Sequence, residues 1–368
     1  MIINIETNKL ETPMRNLSSV SDVKQTMPIL GNTLFTVKDG SLELVASDLE
    51  VEIKYSMEID VEGSVESTIP SKKFADILKS LGDAKTSLEF RDNNVIIKSG
   101  KSRFKVATLP ADEFPLADTG NSNGLNVDAS TLSDIITKTS FSMGYQDARH
   151  FLNGLYVEVI DNNLTAVATD GHRLALTIKP LESAIQTDAC IIPRKCITEL
   201  KKILTNYTDN KDNLVELSIN SKNLVAKIGD YVITSKLIEG KYPDYNKVFP
   251  SEVPNILTLE KASFKAALQR MSILSSEQYK GVKLSFDESS LELSTTNPLQ
   301  EKGEDTLDCS YNGEGMEVGF NLAYLLEVLE VIDTDNVRLC FGSPDSGCLV
   351  SSDTGTPDSK YIIMPMRV

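Results

Sequence analysis

Apolar and polar residues alternate at Val51, Ile53, Tyr55, Met57 and Ile59, which predicts a half-buried strand. Elsewhere the apolar positions spread to helical spacing. Phe74-Ile77-Leu78-Leu81 and Leu322-Leu325-Leu326-Leu329 share the pattern i, i+3, i+4, i+7, a stripe that gives a helix one apolar face. Ile197-Leu200-Leu204 keeps most of it, with Lys201 in the remaining place. A second set of stripes predicts three more amphipathic helices: Leu10, Met14 and Leu17; Leu132, Ile135 and Ile136; Phe264, Ala267, Leu268 and Met271.

These elements come round three times. Leu164-Thr-Ala-Val-Ala-Thr169-Asp170-Gly171 reads as a strand running into a turn, with Leu164, Ala166 and Ala168 on one face. Leu42-Glu-Leu-Val-Ala-Ser-Asp48 and Leu291-Glu-Leu-Ser-Thr-Thr-Asn297 repeat its pattern, apolar-x-apolar-x-small-Ser/Thr-Asp/Asn, at intervals of about 120 residues. Each copy opens with a short strand and a helix. A Gly-marked strand start follows (Ile29-Leu-Gly31-Asn, Phe151-Leu-Asn153-Gly, Gln278-Tyr-Lys-Gly281), then a hairpin turning at Lys38-Asp39-Gly40, Asp161-Asn162-Asn163 or Asp287-Glu288-Ser289. After the second helix, closing strands are predicted at Val95–Ile97 with Phe104–Thr108, Leu224–Ile228 with Tyr231–Leu237, and Cys348–Val350 with Tyr361–Met364. Linkers at Pro110–Pro115 running into Asp118–Gly124, and at Lys241–Pro250, place domain boundaries at 1–120, 121–250 and 251–368. Two helices and six to eight strands per copy make the class α+β.

Composition narrows the class. Hydrophobic content of 40% and charged content of 24% suit a soluble globular protein. The net charge of −16 argues against nucleic acid only on average, since a basic face can sit within an acidic whole. Lys72, Lys73 and Lys79 fall on the polar side of one second helix, and Arg194, Lys195, Lys201 and Lys202 on its counterpart. Lys9, Arg15, Lys24, Lys138, Lys265 and Arg270 lie in or beside the opening helices, whereas the third copy's second helix breaks the rule with Glu327, Glu330 and Asp333. Five cysteines without a CxxC pair and only two histidines give poor material for a zinc site and predict reduced thiols in a cytosolic protein. Neither a signal peptide nor a membrane span is predicted. Were copies to join edge to edge, helices of roughly 10 Å width would line the inner side. A dimer with twelve helices would then enclose a hole of about 28 Å, wide enough for hydrated duplex DNA, and a trimer one of about 45–50 Å.

The residues resemble the β subunits of bacterial DNA polymerase III, the sliding clamps. The likeness runs through Pro28–Asn32, Lys101-Ser-Arg103-Phe104, Thr108-Leu-Pro110 with Phe114-Pro115, Gln146-Asp147, Leu152-Asn-Gly154, Ala168–Ala175, Pro193-Arg-Lys195, Thr234–Leu237, Pro243-Asp-Tyr245 and Tyr361–Val368. It implies three repeated clamp domains in a head-to-tail homodimeric ring around duplex DNA, cytoplasmic, with no catalytic activity, cofactor or metal. Implied partners are a clamp-loader ATPase, the polymerase III catalytic subunit, other DNA polymerases, and repair and ligation proteins that dock through short peptides. The peptide pocket implied by the resemblance comprises Leu152, Thr169, Gly171, His172, Arg173, Leu174, Pro243, Lys247, Val248, Tyr324, Ile362, Met364, Pro365, Met366 and Arg367. The two methionines would supply adaptable apolar surface for several partners.

The implied duplex-facing residues are Lys24, Lys72, Gln146, His150 and Phe151, joined by Arg194 and Lys195 from the basic helix face. The family often has Arg at position 24 and two tyrosines where this chain has His150-Phe151. Such contacts should be to phosphate, because a clamp must slide over any sequence. At the dimer contact Ile273 and Leu274 match the family's apolar pair and are expected near the partner's Phe104 and Val106. Lys73 and Arg103 are expected to face Glu301 and Glu304.

Two other readings start from the same residues. Asp170 beside His172 could serve a hydrolase or phosphotransferase, but there is no G-x-S-x-G elbow or phosphate-binding G-x-x-x-x-G-K-[ST] loop, and the other copies lack the His. A repeat scaffold for proteins or sugars would suit the acidic balance, with the basic helix faces against it. Retention on circular but not linear DNA separates a clamp from both.

Overall fold

The computed structural model describes residues 1–21, 27–82, 85–117, 124–181, 187–210, 213–250, 252–275, 280–354 and 358–367. Lys24, Gln278, the 118–123 part of the first linker and Val368 lie outside them. The first copy runs β1 (Ile2–Glu6), α1 (Thr7–Val20), β2 (Asn32–Lys38), β3 (Ser41–Ser47), β4 (Val51–Glu58), β5 (Ser64–Pro70), α2 (Ser71–Leu81), β6 (Lys85–Arg91), β7 (Asn94–Ser99) and β8 (Ser102–Ala107). The second runs β9 (Gly124–Asp128), α3 (Ala129–Thr139), β10 (Gly154–Ile160), β11 (Asn163–Thr169), β12 (Arg173–Pro180), β13 (Thr187–Pro193), α4 (Arg194–Leu204), β14 (Leu214–Ile219), β15 (Asn223–Ile228) and β16 (Tyr231–Lys236). The third has β17 (Asn255–Glu260), α5 (Lys261–Ser272), β18 (Gly281–Phe286), β19 (Ser290–Thr296), β20 (Lys302–Asp308), the two-residue β21 (Ser310–Tyr311), β22 (Met316–Asn321), α6 (Leu322–Val331), β23 (Asn336–Phe341), β24 (Cys348–Ser352) and β25 (Ser359–Ile363).

The strand order repeats with the sequence. One quartet per copy joins the opening strand to the last three: β1-β6-β7-β8, β9-β14-β15-β16 and β17-β23-β24-β25. The other joins the middle four: β5-β2-β3-β4, β13-β10-β11-β12 and β22-β18-β19-β20. Quartets of successive copies fuse where β4 pairs with β16 and β12 pairs with β25, which makes an eight-stranded and a nine-stranded sheet. The chain accordingly divides into two compact units, Met1–Ser133 with Ile192–Ile238 and Asp134–Ile191 with Glu239–Val368.

In the first unit Leu10, Met14 and Leu17 of α1 are fully buried, each stabilising the fold by about 1.5–3 kcal/mol. Phe35 of β2 packs edge-on against Phe74 of α2 at 5.5 Å and tilts against Phe90 of β6 at 6.1 Å, so one ring touches the helix and both quartets. In the second unit the α5 stripe Phe264, Ala267, Leu268 and Met271 meets Leu322, Leu325 and Leu329 of α6 in one core. Asn321 caps α6 by accepting the Ala323 N–H at 3.0 Å.

Several strands depart from simple alternation, β11 and β4 among them. In β11 both faces are covered, and Thr165 and Val167 are buried along with Leu164, Ala166 and Ala168. In β4 the polar position Glu52 is only 5% exposed, because its carboxylate accepts the Ala117 N–H at 2.8 Å and holds down the linker. Burial raises the Glu52 pKa, opposed by the Ala117 bond and by Lys54. Folding therefore favours the protonated acid, and that stability is present below the unfolded carboxyl pKa and lost as pH rises through the raised value. Glu52→Gln is expected to raise the thermal midpoint at pH 8 and to change it little at pH 4. A lowered midpoint at pH 8 in differential scanning fluorimetry would count against this account.

The acidic exception in the third copy also has a cause. Glu327 accepts from Arg173, Glu330 pairs with Lys265 at 2.7 Å and Asp333 with Lys138 at 2.7 Å. The two α6 acids, with Asp333 just past the helix end, pair with cations of neighbouring elements instead of forming a free acidic face.

Candidate functional site

The recurrent Asp/Asn at the end of the key strand is a turn builder. Asp170 Oδ1 accepts the N–H groups of His172 at 2.9 Å and Arg173 at 3.0 Å. Asp48 does the same for Glu50 and Val51 at 2.9 and 2.7 Å, and Asn297 for Leu299 and Glu301 at 3.0 Å each. A short side-chain acceptor that substitutes for a backbone carbonyl explains why only Asp or Asn stands here. Thr169 completes the turn, with its Oγ1 donating to the Arg173 carbonyl at 2.6 Å and accepting the Gly171 N–H at 3.0 Å. Gly171 has φ +88°, and a Cβ there would sit 3.0 Å from the Arg149 guanidinium. Asp170 Oδ2 takes Arg173 Nε at 3.2 Å, so both carboxylate oxygens serve structure.

Arg173 is 8% exposed and saturates its fork. Besides Asp170 it donates to the Glu327 carboxylate and, at 2.7 Å, to the Phe141 carbonyl. Its guanidinium carbon lies 4.2 Å from the centroid of the Tyr324 ring and 5.4 Å from that of Phe141. Arg173 and Tyr324 thus hold one another in place, fastening the turn to α6.

One strand over, Leu174 stands in register with Ile362, and both are buried. Beyond β25 the chain follows the turn, with the Met364 N–H donating to the His172 carbonyl at 2.9 Å and the Met366 N–H to the Gly319 carbonyl at 2.8 Å. These bonds leave Met364 40% and Met366 41% exposed, flanked by half-buried Pro365 and exposed Arg367. A Cβ on Gly347 would lie 2.9 Å from Ile362 and 3.2 Å from the Met364 sulfur, so only glycine leaves that methionine its place. Leu152 is buried, and its carbonyl accepts the Gly144 N–H at 2.8 Å. The segment bearing Pro243, Lys247 and Val248 is pinned by two tyrosines. Tyr242 stacks on Tyr156 at 4.8 Å, and Tyr245 donates to Glu158 at 2.6 Å. Burial pushes all three phenols up, so they stay neutral donors. Val248 is 41% exposed, and exposed Lys247 pairs with Asp244 at 3.2 Å.

Met364, Met366, Val248 and Pro243 therefore leave apolar surface exposed, while Leu152, Leu174 and Ile362 are buried. Three sequence models match in succession: the N-terminal domain of the DNA polymerase III beta subunit over residues 1–118, its central domain over 126–244 and its C-terminal domain over 246–367. The chain belongs to the DNA polymerase III β-subunit family, the sliding clamps. It is 36% identical to the beta sliding clamp of Escherichia coli K12 over 371 residues and 37% identical to that of Pseudomonas putida over 373, covering all of each chain. A Pseudomonas aeruginosa clamp bound to griselimycin superposes over both full chains with a TM-score of 0.93 at 36% identity. A Caulobacter crescentus clamp with polyethylene glycol at its putative β-motif tethering region also gives 0.93, at 32% identity, covering 100% of this chain and 99% of that one.

In this clamp Lys72 is exposed on α2, and Gln146 (φ +53°) and His150 are exposed on the loop before β10, with Phe151 half-buried. Lys195 is engaged internally, donating to Asp48 and, at 3.2 Å, to the Val20 carbonyl, and Arg194 is half-buried. At the expected seam Ile273 is 79% exposed, and Lys73, Arg103, Glu301 and Glu304 are exposed, while Phe104 is half-buried. Val106 differs from expectation in being 4% exposed: it points into its own core. Glu304 pairs with Lys302. A Cβ on Gly303 would meet the half-buried Leu274 at 3.2 Å, a constraint that no local pattern announces.

Proposed function

We propose that this clamp closes head to tail with a second copy around duplex DNA. The observation that carries this is a pair of quartet edges, β8 and β20, that no further strand joins among the described residues. Every other edge of their kind is joined to the next copy, β4 to β16 and β12 to β25. The two joins share one register, Ile53 opposite Ile233 and Ala175 opposite Tyr361. Carried to the open edges through the repeat, that register sets Gly303 opposite Phe104 and Glu304 opposite Arg103. The first leaves room for a ring, and the second pairs opposite charges across the strands. At α2, a cavity of about 550 Å³ lined by Gly31, Pro70, Lys72, Lys73, Asp76, Ile77 and Ser80 offers a seat for the partner's Ile273, with Pro70 and Ile77 as its apolar contacts.

The function that follows is topological. The ring holds DNA by enclosing it, with Lys72, Gln146, His150 and Phe151 touching phosphates without reading bases. Such a protein needs no catalytic centre of its own. It needs an ATP-driven loader to open it, and it tethers the polymerase III catalytic subunit, other polymerases, and repair and ligation proteins in the cytoplasm. The domain limits we assign are 1–120, 121–250 and 251–368. The test is retention: clamp loaded on nicked circular plasmid should stay bound through gel filtration and be lost once the plasmid is linearised. Equal retention on both forms would sink the ring.

We propose that the exposed apolar surface at Met364 and Met366 forms, with the Asp170 turn, the groove in which partner peptides dock through their apolar anchors. A Pseudomonas aeruginosa relative binds griselimycin, and we expect this chain to bind it at the Met364–Met366 surface. Met364→Ala with Met366→Ala should weaken griselimycin binding by about 10–100-fold, the range for truncating two apolar contact residues, without lowering the thermal midpoint. Unchanged affinity by calorimetry would move the docking site elsewhere.

A further inference from the structure

The groove and the duplex-facing loop are wired together by one side chain. Arg149 closes a fork on Asp147, donating from Nε to Oδ1 at 3.0 Å and from Nη2 to Oδ2 at 2.8 Å, while its backbone N–H reaches the same Oδ1 at 2.8 Å. Nη2 also donates to the Asp170 carbonyl at 3.2 Å, and the guanidinium fills the space over Gly171 that any Cβ would need. Asp147 is braced in turn: its N–H donates to Asn153 Oδ1 at 3.0 Å, and its carbonyl accepts Asn153 Nδ2 at 2.9 Å. The 146–153 loop is thereby a closed hydrogen-bonded ring. It carries exposed Gln146 and His150, half-buried Phe151 and buried Leu152, with Arg149 as the strut to the Asp170–Gly171 turn. Arg149 holds the Asp147 carboxyl down at about 2, so the strut stays charged at every physiological pH.

The geometry points to Arg149 as a positioning residue that couples duplex contact to peptide docking. Resting on the groove reading above, it makes the ordering of the loop by phosphate and the ordering of the Thr169–Leu174 wall by a peptide one event. Whichever ligand arrives first bears the ordering cost, and the second binds more tightly. Linkage makes the effect reciprocal, and a coupling of about fivefold is the low end for such devices.

Hydrogen–deuterium exchange of the full-length clamp with griselimycin is the test. In the wild type the ligand should slow exchange at 169–174 and also, by about threefold or more, at 146–151. In Arg149→Ala, which changes a side chain 52% exposed, the groove should still be protected and the loop should lose its protection. Asp147→Asn, which keeps the turn but weakens the fork, should give an intermediate result. A saturating 30-base-pair duplex should tighten griselimycin binding about fivefold for wild type and leave Arg149→Ala unmoved. Groove protection without loop protection in the wild type overturns the coupling, as does undiminished loop protection in Arg149→Ala. Absence of any griselimycin binding to the wild type would instead count against the groove reading, and the coupling would go with it.

Discussion

Ile273→Ala with Leu274→Ala should turn a clamp that sediments as a dimer into one that sediments as a monomer. Ile273 is 79% exposed, so the proposed seam would bury most of its side chain. A head-to-tail dimer has two seams, so four apolar anchors are truncated, and at about 1 kcal/mol or more for each the dimer dissociation constant should rise by at least about a thousandfold. Both side chains are peripheral to their own core, so the thermal midpoint should hardly move. The charge pair gives a second, orthogonal test. Arg103→Glu alone should weaken the dimer, and Arg103→Glu with Glu304→Arg should restore most of it, because the inherited register sets those positions opposite one another. The gain will be modest and salt-dependent, since both groups are exposed and Glu304 already has Lys302 for company. A wild-type monomer at micromolar concentration would remove the ring, and a charge reversal without rescue would remove this register.

The other large effect is expected inside one chain. Arg173→Ala should destabilise the clamp by about 2–4 kcal/mol, measured as a fall in the urea midpoint. Breaking a buried ion pair costs about 3–5 kcal/mol, and the lower figure applies here because Glu327 is 45% exposed and solvent relieves part of its loss. The damage is compound. Asp170 loses its Nε partner, the Phe141 carbonyl loses its donor, and the Tyr324 ring loses the cation stacked on it. Arg173→Lys should recover only a minor part, since an ammonium cannot reach three acceptors in one plane. Peptide and griselimycin affinity should fall with stability, because Tyr324 and the Asp170 turn lose their common fastening. A loss below 1 kcal/mol would show that the turn is held by Asp170 and Thr169 alone.

Much of this molecule is legible locally. The stripes at Leu10-Met14-Leu17 and Phe264-Leu268-Met271 became buried helix faces, because a period near 3.6 leaves those side chains nowhere else to point. The Asp48, Asp170 and Asn297 turns needed only a side-chain acceptor two or three residues from its donors. Asp39 and Gly40, with φ +46° and +84°, formed the hairpin their residue types suit. Met364 and Met366 were expected in a partner-peptide pocket only through likeness to a family. Their exposure was not legible, since apolar spacing at a chain end also describes core.

By itself, then, the sequence determined the three-fold repeat, the α+β elements and the turns that join them, all of which depend on neighbours a few residues away. The tertiary structure alone decided which charges remain free. Glu327, Glu330 and Asp333 are spent on Arg173, Lys265 and Lys138, and Lys195 on Asp48, across as many as 195 residues of chain. It alone buried Glu52 under the linker, turned Val106 inward and aimed Arg149 at the Asp170–Gly171 turn. Each outcome turns on the competition between desolvating a polar group and finding it a partner. The partner comes from a distant strand or helix, so no local period encodes it.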